Sequence, residues 1–249
     1  MDLKKLRKAH HPSGKIIYFD ESHHVYYAED NSNEKFISVT TFIGKFFPIF
    51  KFDEISFSYA MRSGLDVGKV RQAWIDKREK ASELGNRVHE AVRIFLTNEK
   101  KSAIILNETE GRYFKQAKKA IKTMYYFGME LECSECILAD LNWKIAGTTD
   151  LVFRFQNSLH ILDWKSSGEI KTENKFQTAL SPIEHLDDTN FAKYALQLNF
   201  YRFLIESSGY YPWAREIILR IIHLNENRFE FIDIPNMQRE IRMMLKHKI

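Results

Sequence analysis

Cysteine is scarce. The chain carries two, Cys133 and Cys136, and two cannot build the disulfide framework of a small secreted domain. Unbridged thiols in a reducing compartment are therefore expected. Their C-x-x-C spacing would need two further cysteines or suitable histidines to hold zinc or an iron–sulfur cluster, and no further cysteine exists. On a regular strand, positions three apart face opposite ways, so the pair reads as small buried residues. Long apolar runs are absent too: nothing approaches the ~18 residues of a membrane helix. Met1 to Lys15 is basic and has no apolar signal-peptide core. It reads as a mobile arm whose Lys4, Lys5, Arg7 and Lys8 can touch phosphates. There is no repeat and no low-complexity tract. Neither sign of charge dominates. Thirty-seven Lys and Arg against 33 Asp and Glu leave a net +4, compatible with a nucleic-acid partner without specifying one.

With 249 residues, 44% of them hydrophobic, the chain can bury a sizeable core as one domain. Residues 1–50 read as a hairpin and arm, 51–128 as a helical part and 129–249 as the core of the fold. Ile16 to Phe19 and Val25 to Ala28 form the hairpin, with His23 and His24 in its turn. Glu29 to Glu34 reads as a polar loop, Phe36 to Val39 as a short strand or linker, and Thr40-Thr41 as the cap of a short helix ending near Pro48. From Asp53 to Leu96 the pattern is helical, broken near Ser63-Gly64. Leu84, Val88, Ala91, Val92 and Phe95 make its buried stripe, with Gly85 and His89 beside it, one turn apart. A mid-helix glycine costs roughly 0.5–1 kcal/mol relative to alanine, which predicts a close backbone approach at Gly85. His89 taken alone reads as a core or boundary histidine.

Glu108 to Phe127 is a second amphipathic helix with Gly128 as its C-cap. Met129 to Leu138 is a strand on which Glu132 and Glu135 have opposite parity, so only one faces any given site. Ser166 to Pro182 is polar. Asp188 caps a helix from Thr189 to Glu206, where Tyr194, Gln197 and Tyr201 share a face. A hairpin of Ile217 to Leu224 and Phe229 to Ile234 and a helix from Met237 to Lys248 close the chain. The expected class is α/β (α+β): a central mixed or largely antiparallel β-sheet flanked by helices, with a helical N-terminal segment.

The most informative stretch is Gly147 to Lys165, a predicted β-hairpin with Asp150 on its first strand and Asp163 and Lys165 on its second. Asp163 and Lys165, two apart, point the same way. A two-residue loop of Asn157-Ser158 makes the aspartates diagonal neighbours, roughly 7–8 Å apart at the backbone. A loop of Gln156-Asn157 puts them directly opposite, and a three-residue loop without a bulge would separate them. Two converging carboxylates raise each other's pKa unless a cation lies between them, and oxygen ligands suit Mg²⁺ or Mn²⁺. The competing reading is an edge hairpin whose charges merely pair across strands.

G-x-x-D (Gly147 to Asp150) followed by D-x-K (Asp163 to Lys165) resembles the PD-(D/E)XK nuclease superfamily. Further pieces resemble its RecB-like exonuclease branch: a helical G-x-x-x-H at Gly85 and His89, a glutamate at Ser134-Glu135, and a helical Q-x-x-x-Y at Gln197 and Tyr201. All follow the family's order, across residues 85–201. The resemblance implies a restriction-endonuclease-like fold, with His89, Asp150, Asp163 and the Trp164 carbonyl as ligands of Mg²⁺ or Mn²⁺. Glu135 would assist metal or water, Lys165 would act on the nucleophile, and Gln197 and Tyr201 would support the site or the DNA. Some members carry a four-cysteine iron–sulfur staple, which this chain cannot build, so no iron–sulfur cluster is expected. Ser38-Val39-Thr40-Thr41 and Phe52-Asp53 are similar to phage members, which favours phage-like or mitochondrial-like genome-maintenance exonucleases.

The implied activity is metal-dependent cleavage of single-stranded DNA or DNA ends in replication, recombination or repair. Proteins of those processes would be partners and the cytoplasm of a bacterial or phage-infected cell the setting, with a mitochondrial one left open. Trp74 and Tyr201 are candidates for stacking on unpaired bases, although core packing is the expected job of Trp74. The rivals are a structure-specific endonuclease and a catalytically silent DNA-binding accessory protein.

Overall fold

A computed structural model describes residues 6–29, 31–97 and 104–247; Lys4 and Lys5 lie outside them. Nine strands among the described residues form one mixed sheet flanked by helices. Strands β1 (Arg7–His10), β2 (Ile16–Asp20), β3 (Val25–Ala28) and β4 (Asn31–Ser38) make an antiparallel meander. Helices α1 (Val39–Gly44), α2 (Phe52–Ser63), α3 (Val67–Thr97) and α4 (Glu108–Tyr126) follow. The core of the sheet is β5 (Glu130–Asp140), β6 (Ile145–Phe155) and β7 (Ser158–Lys165); helix α5 (Asn190–Ser208), the hairpin β8 (Glu216–Leu224) and β9 (Phe229–Asp233), and α6 (Gln238–Lys246) complete the chain.

Alternation along the strands sorts their side chains into two layers. Leu138, Ile145, Val152, Leu159, Ile161, Leu219 and Ile221 face α1, α5 and α6. Leu151, Phe153, Leu162, Trp164, Ile222 and Leu224 face α3 and α4. On that second face, the far end of the sheet (Ile137, Ala139 and Ala146) is covered by Ile17, Phe19, Tyr26 and Phe36 of the N-terminal meander.

One edge of β6 has two neighbours. β4 runs parallel to it at Ile145 and Ala146, while β7 runs antiparallel from Leu151 to Phe155. Between those pairings, residues 147–150 face a notch in the sheet. Capping sets the helices around it. Ser38 accepts from the Thr41 amide at the start of α1, Asn107 and Glu110 form a capping box on α4, and Thr189 caps α5. Gly64, Gly128 and Gly209 adopt positive φ where α2, α4 and α5 end.

Several expectations need correction. The supposed arm is a strand from Arg7 to His10, because pairing with β2 satisfies its backbone. The supposed polar loop at 29–34 is mostly the start of β4, whose pairing with β3 reaches Asn31. Thr189 rather than Asp188 caps α5. Cys133 and Cys136, read as unbridged residues on opposite faces, are joined as a disulfide. An extra residue at Glu132 shifts the β5–β6 register, and Glu135 takes φ +54°. The first precedes both cysteines and moves them alike; the left-handed Glu135 lies between them and breaks the alternation that would have separated the sulfurs. Among the described residues no helix is long and apolar enough to cross a membrane.

Candidate active site

The hairpin register decides the position of the aspartates. Phe155 pairs with Ser158, so the loop is Gln156-Asn157, and the ladder continues to Leu151 opposite Leu162. Counting on by one residue puts Asp150 across from Asp163, the directly opposed arrangement. Both are buried at the notch. Asp150 turns one oxygen, Oδ2, back to accept from the Trp164 amide at 2.8 Å. The β5 register sets Ser134 against Leu151 and Cys136 against Thr149, so Glu135 falls beside Asp150 from the other side.

The remaining groups come from both helical layers. Gly85 of α3 lies where an added Cβ would stand 3.3 Å from Ser166 Oγ, so the helix runs close to the end of β7 as the glycine predicted. One turn on, His89 Nδ1 sits 3.5 Å from Asp150 Oδ1. His89, Glu135 and Asp150 can each offer a ligand atom, all within 4.8 Å of one another. Asp163 stands outside that trio and pairs with Lys165, Nζ to Oδ2 at 2.5 Å. From the α5 side, Lys165 Nζ donates to Gln197 Oε1 at 3.4 Å and lies 4.4 Å from the centre of the Tyr194 ring. Gln197 Nε2 donates to the Tyr201 hydroxyl at 2.9 Å. Tyr201 is buried in the α5-side core and not exposed for base stacking. Its ring rests on Gly147, where a Cβ would come within 2.7 Å of Cε1.

The electrostatics follow from crowding. Burial and then the Asp150 charge push Glu135 up to about 7 and Asp163 up to about 6. Burial acts against Asp150 ionising, yet His89, Lys165 and the Trp164 amide together hold it below the usual carboxylate value. Burial likewise disfavours charge on His89, but Asp150, Asp163 and Glu135 outweigh it and hold the imidazole at about 9. Lys165 stays above its ordinary value because Asp163 and Asp150 overcome its desolvation. Two carboxylates and an imidazole in reach of one point, with a third carboxylate adjacent, form a donor set that fits a hard divalent cation. Burial is the larger cause of the upward push on Glu135 and Asp163, and the part that comes from the Asp150 charge is what such a cation would balance.

Arg7, read from the sequence as a phosphate contact on a mobile arm, is instead engaged with carboxylates beside the site. From β1 its Nη2 donates to the Glu135 carbonyl at 2.5 Å, and its Nη1 lies 3.6 Å from the Glu135 carboxylate and 2.9 Å from Glu21. No local pattern could have found it, because the partners are 128 residues apart. Tyr194 was visible as a neighbour of Gln197, but its ring contact with Lys165 was not.

A family profile for the PD-(D/E)XK nuclease superfamily matches residues 49–242. No curated protein matches the chain. Among solved structures, a provisionally named exonuclease from Eubacterium rectale aligns over 87% of this chain and 80% of its own, at 12% identity and a TM-score of 0.37. The protein SSO0001 aligns over 65% of this chain and 69% of its own, at 16% identity and a TM-score of 0.26.

Proposed function

The chain belongs to the PD-(D/E)XK nuclease superfamily, and we propose that it is a metal-dependent DNA exonuclease of the RecB-like kind. It hydrolyses phosphodiester bonds in single strands or at DNA ends, during replication, recombination or repair, and residues 1–249 work as one nuclease domain. The observation that carries this reading is the convergence of His89, Glu135 and Asp150 beside the Asp163–Lys165 pair.

In this reading His89, Asp150, Asp163 and the Trp164 carbonyl hold Mg²⁺ or Mn²⁺, with Glu135 beside them. The bound cation supplies a Lewis acid and lowers the pKa of water. Glu135, within ligand distance of His89 and Asp150, is placed to assist the metal or to accept a proton from an attacking water. Lys165, held cationic by two aspartates, is suited to steady negative charge on the phosphate or orient the water, not to act as a base. Gln197 and Tyr194 fix the Lys165 ammonium, and Tyr201 fixes Gln197.

The test is cleavage of end-labelled single- and double-stranded DNA with Mg²⁺ or Mn²⁺, comparing wild type with Asp163→Asn and Lys165→Ala. Loss of at least about a hundredfold in both is expected if they act on the transition state. Undiminished cleavage by both variants would overturn the site assignment. Covalently closed circles separate exonuclease from endonuclease, since an exonuclease leaves them intact.

A further inference from the structure

One surface lies outside the carboxylate cluster yet runs toward it. On α3, residues 74, 78, 81, 85 and 89 recur at intervals of three and four, so Trp74, Arg78, Ala81, Gly85 and His89 share one face of the helix. Trp74 is fifteen residues from His89 (89 − 74), about 22 Å at 1.5 Å per residue. Trp74, Lys77, Arg78 and Ala81 form one bank of an open groove of about 680 Å³, completed by Phe50 and Lys171. Lys171 lies on the segment that leaves β7 just after Lys165, and Gly85 holds α3 against Ser166 at the start of that segment. The groove therefore lies along the face of α3 that carries Gly85 and His89 further on.

Its lining is unusual for this molecule. Three cations and no carboxylate line it, whereas neighbouring clefts mix lysines with glutamates or aspartates. Lys77 and Arg78 make no ion pair among the described residues, and Lys171 has only a loose exposed contact with Glu169 at 4.0 Å. Trp74 belongs to none of the three buried cores, contrary to the packing role expected for it. Instead it is propped by Phe52 and Tyr59 of α2, ring centres 6.1 and 5.6 Å away, and Phe50 beside it is 60% exposed. The prop is itself fastened: Arg71 bridges the two helices, with Nε donating to Ser56 Oγ at 3.0 Å and Nη2 3.0 Å from Asp53.

We propose that this groove binds an unpaired DNA strand and leads it along α3 to the carboxylate cluster. Aromatic faces backed by a rigid scaffold stack on bases whose faces are free, and unpaired cations follow the phosphates. A duplex offers no free base faces along its length, and protein interfaces are depleted in lysine. The proposal rests on the nuclease reading for its direction toward the metal site.

Binding of fluorescent oligo-dT to the Asp163→Asn protein, measured by anisotropy, tests the groove. Adding Trp74→Ala weakens binding about tenfold or more, while Trp74→Phe, which keeps a stacking face, recovers most of it. Adding Lys77→Ala with Arg78→Ala lowers the slope of log affinity against log salt by about 1.4, near 0.7 per lost phosphate contact. In the active protein, Trp74→Ala raises KM for oligo-dT by a similar factor and leaves hydrolysis of thymidine 5′-p-nitrophenyl phosphate, too short to reach the groove, unchanged. Unaltered oligo-dT binding in both groove variants overturns the proposal, as does an equal loss on the small ester or equally tight binding of a blunt duplex. If wild type cleaves neither substrate with either metal while the groove variants still lose oligo-dT, the nuclease reading fails and the groove stands.

Discussion

At the scale of single residues, Gly147 and Arg7 carry the sharpest consequences. A Cβ at Gly147 would stand 2.7 Å from Tyr201 Cε1 and 3.1 Å from Val39 Cγ2, both in buried side chains with little room to give. Gly147→Ala should therefore destabilise by about 1–3 kcal/mol, seen in urea unfolding, and should displace Tyr201 and with it Gln197 and Lys165. Unchanged stability would mean that α5 can move away at no cost. Arg7 holds Glu135 by its backbone and carboxylate but reaches no other site group. Arg7→Ala is expected to lower turnover about tenfold, near 1.4 kcal/mol, with KM for a single strand unchanged, and Arg7→Lys to recover part of the loss. Steady-state kinetics decide it: a change confined to KM would make Arg7 a substrate contact instead. Asp150, Asp163 and Lys165 were legible because strand parity is a rule of period two. Gly85 was legible because glycine within a helix needs a reason. Arg7 and the tilt of Glu135 were not, since a left-handed backbone at φ +54° and a contact across 128 residues leave no periodic trace. The same tilt explains why parity failed for Cys133 and Cys136.

At the scale of elements, the hairpin between β6 and β7 shows where local reading stops. Both Gln156-Asn157 and Asn157-Ser158 make plausible two-residue loops by composition. The observed loop is held by one distant and one local contact: the Arg215 amide donates to the Asn157 carbonyl at 2.8 Å, and Arg154 Nε, two residues away, to the Gln156 carbonyl at 3.1 Å. Gln156 adopts φ +55° in that loop, a conformation that disfavours a side chain bearing Cβ. Gln156→Gly is thus expected to stabilise the protein by about 0.5–1 kcal/mol without changing the register, and an unfolding curve shifted the other way would show that the glutamine side chain supports the turn. The helices were more legible, because their apolar stripes repeat over many turns and their ends carry chemical markers. The start of α4 is one such case. Asn107 accepts from the Glu110 amide while Glu110 accepts from the Asn107 amide, each at 2.9 Å. Asn107→Ala should cost about 1 kcal/mol, and no loss in thermal unfolding would mean that packing of α4 on β8 and β9 carries the helix end unaided.

For the whole molecule, local patterns foretold helices and hairpins but not the order of strands, since β4 meets β6 only through a parallel pairing more than a hundred residues apart in sequence. That order creates the notch and leaves two buried histidines at opposite ends of the fold. His11 packs edge-on to Tyr210, with ring centres 5.4 Å apart, where the N-terminal meander meets the end of β5. His160 lines an apolar cleft of about 510 Å³ between α4 and the β8–β9 hairpin, and neither of its ring nitrogens has a hydrogen-bond partner among the described residues. Burial holds both imidazoles below the ordinary 6.5. A base whose folded pKa is depressed binds fewer protons folded than unfolded. Its contribution to stability is present above about 6.5 and is lost as pH falls from there through the folded value. His89, Glu135 and Asp163, whose folded values are raised, act in the opposite sense over the same range, so the share of His160 is read as a difference: His160→Phe should raise the melting temperature relative to wild type more at pH 5.5 than at pH 8. That substitution has the adjoining cleft to expand into and relieves two unsatisfied nitrogens, a cost of about 1–3 kcal/mol, so it should not destabilise the protein at pH 8 either. The two histidines lie far apart, and their contributions should add. A wild-type and a His160→Phe protein whose melting temperatures change by the same amount between pH 8 and pH 5.5 would exclude His160 as a source of acid sensitivity and leave His11 as the group to replace.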